Sequence, residues 1–216
     1  MKNTIIQSIY ENKLIVIVRG VERELLIPLA EAMYAGDIRL LEITFDAKGT
    51  VSDEETASRI GMLKAHFGDR MNIGAGTVLN SRQVELVGAA GGEFIISPNV
   101  NREVIEKTVE MGLVSIPGAL TPSEISDAYD FGADFVKLFP VTSLGVGYVK
   151  AVRAPLSHIP MLAVGGVDLD NIPDYLGAGV CGFGLGSNII NKKMLADGDF
   201  DGITRLAKSY VEAVRG

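Results

Sequence analysis

Lys137 is the residue of this 216-residue chain whose position most clearly suggests chemistry. It lies within Asp134-Phe135-Val136-Lys137-Leu138-Phe139-Pro140, a run that is apolar on both sides of the lysine. An ammonium group is costly to bury unless it is paired or loses its proton. A neutral amine in a dry pocket is a nucleophile towards carbonyl carbon atoms. The run therefore indicates either a lysine that forms a Schiff base or a lysine held in a structural ion pair.

Glu42 is a second charged residue in an apolar run, Leu40-Leu41-Glu42-Ile43-Thr44-Phe45. A buried carboxylate needs a cation or a proton, and Lys137 is the natural partner. A purely structural pair is the alternative, although buried pairs are often no more stabilising than apolar replacements. Because perturbed groups cluster at functional sites, we expect Lys137 to attack a ketone and Glu42 to shuttle protons. The protonated imine itself accepts the electrons, so this chemistry requires neither metal nor cofactor.

Two glycine-containing pairs, Gly165-Gly166 and Gly186-Ser187, follow the last two predicted strands. Loops at this position often bind phosphate in (β/α)8 barrels, because glycine lets backbone N–H groups approach an anion. The alternative is that these small residues only permit tight turns. Arg19, at the end of the first predicted strand, suits bidentate binding of a phosphate or carboxylate, or else a salt bridge at the rim.

Short apolar runs rich in Val and Ile recur along the chain, as in parallel strands that are buried on both faces. The predicted strands are Leu14–Val18, Leu40–Thr44, Asn72–Gly76, Phe94–Ser97, Val114–Pro117, Phe135–Phe139, Met161–Val164 and Gly182–Leu185. Ser, Thr, Asn or Asp at the start and Gly at the end mark helices between them. The predicted helices are Glu22–Ala35, Ser52–Phe67, Ser81–Ala90, Asn101–Met111, Thr121–Phe131, Gly147–Ser157 (the weakest, since Pro155 shortens it) and Asp168–Gly177.

The alternation of eight strands with helices predicts an α/β protein, a single-domain (β/α)8 barrel over residues 1–216. An extra helix is expected before Tyr10. A doubly wound sheet is the alternative, but no Gly-x-Gly-x-x-Gly follows the first strand. In such a barrel the active site lies at the carboxyl ends of the strands. Polar and small residues fall there in several strands: Arg19, Glu42, Thr44, Thr77, Pro98, Lys137, Gly165, Gly166, Gly186 and Ser187.

Composition excludes several classes of protein. The net charge of −7 and pI of about 4.9 argue against a nucleic-acid-binding surface. No apolar run reaches the ~18 residues of a membrane span. Cys181 is the only cysteine, which rules out an intrachain disulfide and fits a reducing cytoplasm. His66 and His158 lie far apart, without metal-ligand spacing, and are expected at the surface.

Several short motifs, in this order and spacing, carry a resemblance that spans essentially the whole chain. They are Leu41-Glu42-Ile43-Thr44, Gly74-Ala75-Gly76-Thr77-Val78-Leu79, Ile96-Ser97-Pro98, Pro117-Gly118, Val136-Lys137-Leu138-Phe139-Pro140 and Gly165-Gly166. The chain resembles the family of 2-keto-3-deoxy-6-phosphogluconate and 4-hydroxy-2-oxoglutarate aldolases. The resemblance implies a metal-independent class I lyase, usually a homotrimer, that cleaves a 4-hydroxy-2-oxo acid to pyruvate and an aldehyde.

The resemblance also implies residue roles. Lys137 matches the Schiff-base lysine and Glu42 the acid/base residue. Thr77 matches a threonine that holds the pyruvyl carboxylate, a role expected also for Arg19, where many members carry a basic residue. Gly165, Gly166, Gly186 and Ser187 are expected to bind phosphate, and Thr44, Pro98 and Phe139 to complete the pocket.

Two departures leave the substrate open. Many members carry an arginine where this chain has Asp46, for which Lys48 is a possible substitute. Ala163-Val164 before the glycine pair is closer to the branch that cleaves 2-keto-3-deoxy-6-phosphogalactonate. Two other classes of function are also considered. One is a phosphate-binding barrel that acts as an isomerase or thiamin-phosphate-type transferase, and the other is a non-catalytic sugar-phosphate sensor.

Overall fold

The strands form a parallel β-barrel in a computed structural model that describes residues 2–216. The strands are β1 Leu14–Val18, β2 Leu40–Thr44, β3 Asn72–Gly76, β4 Phe94–Ile96, β5 Val114–Ile116, β6 Gly118–Ala119, β7 Val136–Leu138, β8 Met161–Val164 and β9 Gly182–Leu185. Their order in the sheet is β5-β4-β3-β2-β1-β9-β8-β7-β6, and every pair is parallel. The predicted barrel is confirmed.

The fifth predicted strand, Val114–Pro117, corresponds to β5, and a further short strand, β6, follows directly after Pro117. A proline has no N–H to donate to a strand ladder. β5 pairs with β4, whereas β6 pairs with β7. The Pro117 carbonyl accepts a hydrogen bond of 2.9 Å from the backbone N–H of Lys137. The segment from β5 to β6 therefore joins the two ends of the strand order, and β6 is a ninth strand in addition to the eight that were predicted.

Helices alternate with the strands on the outside of the barrel. They are α1 Lys2–Asn12, α2 Arg23–Ala35, α3 Asp53–Phe67, α4 Ser81–Ala89, α5 Arg102–Glu110, α6 Pro122–Asp130, α7 Gly145–Arg153, α8 Ile172–Gly177, α9 Lys192–Asp197 and α10 Phe200–Arg215, with a short 3-10 helix at Gly68–Arg70. α1 is the extra helix expected before the first strand. Its Ile5 and Ile9 pack with residues near the amino ends of strands, including Ile15, Phe94 and Phe135. α1 thus covers the end of the barrel opposite the predicted active site.

The carboxyl-terminal third shows the main differences from the predicted helices. α8 begins at Ile172 rather than Asp168, because the Asp168 carboxylate accepts N–H groups of Asp170 and Asn171 and forms a turn. α9 and α10 were not predicted. Asp199 caps α10 by accepting the N–H of Gly202 at 2.8 Å. Among the described helices, none has the length and apolar character needed to cross a membrane.

We predict that Gly36→Ala destabilises the fold, because α10 packs against the end of α2 there. A Cβ on Gly36 would lie 2.4 Å from the Cβ of Ala207 and 3.0 Å from the Thr204 carbonyl oxygen. Overpacking of this kind costs about 1–3 kcal/mol. Gly147→Ala is the matched control, since its Cβ would meet nothing within 4 Å and alanine favours a helix. Urea unfolding should show a loss for the first variant only; equal stability of both would contradict this packing.

Candidate active site

Lys137 and Glu42 both lie in the interior of the barrel. Lys137 is the middle residue of β7, beside Gly118 of β6 and Leu162 of β8. Glu42 is the middle residue of β2, beside Ile17 of β1. The exposed fractions are 7% for Lys137 and 1% for Glu42. Two opposite charges are therefore carried by rigid strands and removed from bulk water, as the two apolar runs predicted.

The two charged groups do not form a direct ion pair. Within the described residues no ion pair of 4.0 Å or less involves either group, and Oε2 of Glu42 has no hydrogen-bond partner. Glu42 extends over Gly76 of β3, where an added Cβ would lie 1.5 Å from Oε1 of Glu42. Glycine at this position therefore leaves the space that the carboxylate occupies. A purely structural pair would place the two charges in direct contact, and this arrangement does not.

Burial and mutual charge shift the pKa values of both groups. Burial raises the pKa of the Glu42 carboxyl, and the positive charges of Lys137 and Arg19 offset this in part. Burial lowers the pKa of the Lys137 amine; the charge of Glu42 opposes this shift and that of Arg19 adds to it. Desolvation dominates in both cases because it disfavours the charged form of each group. The site thus holds an amine with increased nucleophilic character and a carboxyl able to exchange protons.

A cavity of about 810 Å³ opens beside Lys137 at the carboxyl ends of the strands. Most of the predicted site residues line it: Arg19, Thr77, Pro98, Lys137, Phe139, Gly165, Gly166, Gly186 and Ser187. The Phe139 ring centre is 4.9 Å from Nζ of Lys137 and shields one side of the amine. Glu42 does not line the cavity, so its contact with a bound molecule requires a small movement or a bridging water. The cavity brings Lys137 and the predicted phosphate-binding residues into one space.

Thr77 and Arg19 form a polar corner of this cavity. Nη2 of Arg19 donates to Oγ1 of Thr77 at 3.2 Å, so the hydroxyl hydrogen of Thr77 is available to another acceptor. Thr77 has a φ of 57°, which is unusual for a β-branched residue and is typical of functional sites. A guanidinium and a hydroxyl directed at one position suit a carboxylate.

Two loops on another side of the cavity present backbone N–H groups. Gly165 and Gly166 have φ values of 95° and 80°, which favour glycine. A Cβ on Gly166 would also lie 2.5 Å from the Thr142 side chain. Among the described residues, no acceptor receives the N–H of Gly166, Ser187 or Asn188. Free N–H groups that converge on one space are suited to an anion.

Thr44 and Asp46 lie away from Lys137, along a second cavity of about 300 Å³ that Arg19 and Thr77 separate from the first. The Asp46 carboxylate accepts the hydroxyl of Thr50 and backbone N–H groups of the same loop, and these bonds lower the pKa of Asp46 to about 2. Asp46 thus organises its own loop. Lys48, considered as a substitute for the arginine of related proteins, also lines this second cavity.

Some residues at the site were not found from the sequence. Asn188, Lys192 and Glu22 line the main cavity, and Gly76 makes space for the Glu42 carboxylate. Surface polar residues carry no local signal that distinguishes a cavity wall from any other loop. No cluster of three or more His, Cys, Asp or Glu side chains suited to a metal ion occurs within residues 2–216.

We predict that Glu42→Gln gains stability relative to the wild type as pH rises above about 4, the pKa of an unperturbed glutamic acid. The folded-state pKa of Glu42 is raised, so its favourable contribution exists at low pH and is lost as pH rises through that pKa. Glutamine has a similar shape and does not titrate. Urea unfolding of both proteins from pH 4 to pH 7 measures the difference; a flat or reversed trend would contradict the assigned pKa shift.

Comparisons with known proteins agree with this geometry. The chain is 37% identical over 150 residues to the 2-dehydro-3-deoxy-6-phosphogalactonate aldolase of Escherichia coli, covering 69% of this chain and 73% of the relative. It is 30% identical over 215 residues to the 2-dehydro-3-deoxy-phosphogluconate aldolase of Haemophilus influenzae, covering 98% and 97%. The 2-keto-3-deoxy-6-phosphogluconate (KDPG) aldolase of Legionella pneumophila was solved with pyruvate captured as a covalent carbinolamine. It superposes on this chain with a TM-score of 0.84 at 28% identity, and the match covers 94% of this chain and 97% of that one.

The strongest family evidence covers most of the barrel. Residues 5–206 match the family model described as KDPG and KHG aldolase, a span that includes both interior charges and both glycine loops. Together with the barrel and the position of Lys137, this match shows that the chain belongs to the KDPG and KHG aldolase family.

Proposed function

We propose that this protein is a class I aldolase that forms an imine between Lys137 and the 2-oxo group of its substrate. The observation that carries the proposal is the position of the Lys137 amine. It is 7% exposed, has a pKa lowered by burial, lines the cavity and lacks a carboxylate partner among the described residues. The covalent carbinolamine of the Legionella relative supports the same chemistry.

The cleavage reaction uses both interior charges. The neutral amine of Lys137 attacks C2, and loss of the carbonyl oxygen as water leaves a protonated imine. Glu42 accepts the C4 hydroxyl proton, the C3–C4 bond breaks, and its electrons move into the imine to give an enamine. The aldehyde departs. Protonation of C3 and addition of water to C2 then release pyruvate and restore the free amine.

We propose a 2-keto-3-deoxy-6-phosphosugar acid as the principal substrate, with 4-hydroxy-2-oxoglutarate as an alternative. The Arg19–Thr77 corner suits the carboxylate, and the loops at Gly166 and Ser187 suit the phosphate. Named relatives act on both the phosphogluconate and the phosphogalactonate compounds, which differ at C4. Asp46, which replaces the arginine of many family members, does not favour a sensor without activity. Its carboxylate accepts hydrogen bonds from backbone N–H groups of its own loop. An isomerase or transferase has no need for a lysine within a strand.

We propose that the protein acts in the cytoplasm as a homotrimer. Val109, Met111 and Tyr129 are exposed apolar side chains near the ends of α5 and α6. Exposed apolar side chains are among the features of association surfaces. Sedimentation of the purified protein should give three times the 23.0 kDa of one chain. A monomeric mass at micromolar concentration would contradict the assembly.

We predict that Lys137→Ala and Lys137→Arg both lose turnover to background while remaining folded. Arginine keeps a positive charge, but its guanidinium cannot form the imine. The assay is pyruvate release from the phosphosugar acid, followed with and without EDTA, and activity of the wild type should survive the chelator. Circular dichroism is the folding control. Substantial activity in Lys137→Arg would mean that the charge, and not the amine nucleophile, matters.

A further inference from the structure

The lining of the large cavity includes a lysine that no part of the proposed mechanism uses. Lys192 is the first residue of α9 and lines the same cavity as Gly166, Ser187 and Asn188. It is exposed, and none of the hydrogen bonds or ion pairs of the described residues includes its ammonium group. The next residue, Lys193, is paired with Asp197 and does not line the cavity. The ammonium group of Lys192 is therefore available to a ligand in the cavity, whereas that of its neighbour Lys193 is not.

The position of Lys192 is fixed by the local structure. Asn191 caps α9, and its side-chain oxygen accepts the N–H groups of Lys193 and Met194 at 2.9 and 3.1 Å. Capping defines the start of the helix and therefore the place of its first residue. The turn that contains Ser187 and Asn188 is held by Gly186, whose carbonyl accepts the N–H of Ile190 at 3.0 Å. The ammonium and the free N–H groups thus belong to one short, ordered segment.

We propose that Lys192 is a specificity-determining residue that binds the phosphate of the substrate together with the glycine loops that line the same cavity. This inference rests on the proposed function and adds to it a preference for substrates whose aldehyde product carries a phosphate. Backbone N–H groups favour any small anion, whereas an added ammonium favours a dianion. Glu22 also lines the cavity and is an exposed carboxylate, so it opposes anions there and makes a compensating cation more necessary.

The alternative is that Lys192 only improves solubility, like most exposed lysines. The condensation of pyruvate with glyceraldehyde 3-phosphate distinguishes the phosphate-binding role from the solubility role. This assay can be used whichever C4 epimer the enzyme forms. We expect Lys192→Ala to raise the KM for glyceraldehyde 3-phosphate about fivefold, the size typical of a partly exposed ion pair. The kcat and the KM for unphosphorylated glyceraldehyde should stay within about twofold of the wild type, and Lys192→Arg should restore most of the loss.

Lys193→Ala is the matched control, and binding of glycerol 3-phosphate supplies a measurement independent of turnover. Calorimetry should show weaker binding for Lys192→Ala and unchanged binding for Lys193→Ala, with a difference that shrinks at high salt. Unchanged binding and KM in Lys192→Ala, or equal losses for both aldehydes, would overturn the proposal. A wild type that binds glycerol 3-phosphate through Lys192 but never turns over would instead refute the proposed aldolase activity alone.

Discussion

The central constraint on this structure is that two residues of opposite charge, Lys137 and Glu42, are buried in the barrel without forming a direct ion pair. A buried ion pair in close contact would favour the charged form of both groups. Here Lys137 and Glu42 lie on strands of the barrel and make no direct contact within the described residues. The desolvation that remains uncompensated is what shifts both pKa values towards the neutral forms. Nucleophilicity and proton exchange thus follow from the same unfavourable burial, which the large apolar core must offset.

Glycine sets the shape of the site around these charges. Gly76 leaves the volume that the Glu42 carboxylate fills, and Gly166 adopts a positive φ against the Thr142 side chain. Thr77, directly after Gly76, also has a positive φ and turns the chain so that its hydroxyl meets Arg19. Each of these positions gives up some local stability. The Arg19–Thr77 pair, the glycine loops and Lys137 thereby line one cavity.

Much of this could be predicted, and the failures have physical reasons. Charged residues within apolar runs identify Glu42 and Lys137, because burial makes residue type unusually informative there. Caps located most helices to within a residue. An apolar run does not say which neighbours its backbone bonds, so the short strand β6, which follows Pro117 and pairs with β7, was not predicted. The spacing of Ile203, Ala207, Tyr210 and Val214 is a helical signal in the sequence of α10.

Side-chain geometry was less predictable than strand position. Residue types indicated attraction between Glu42 and Lys137, but their separation depends on Gly76 and on the barrel register, which no local pattern encodes. Thr44 was predicted to lie in the main pocket because it shares strand β2 with Glu42. In the structure Thr44 lines the second cavity, and its hydroxyl donates to the Val18 carbonyl at 3.4 Å. Exposed lysines such as Lys192 resemble any other surface residue in sequence, and only the structure shows that Lys192 lines a cavity.

The most direct test of the account is the intact mass of the protein after incubation with pyruvate and borohydride, followed by peptide mapping. If the buried amine forms an imine, reduction adds one pyruvyl group per chain, and the modified peptide contains Lys137. A folded protein that gains no mass, or that is modified at another lysine, would contradict the account and leave Lys137 as a structural residue.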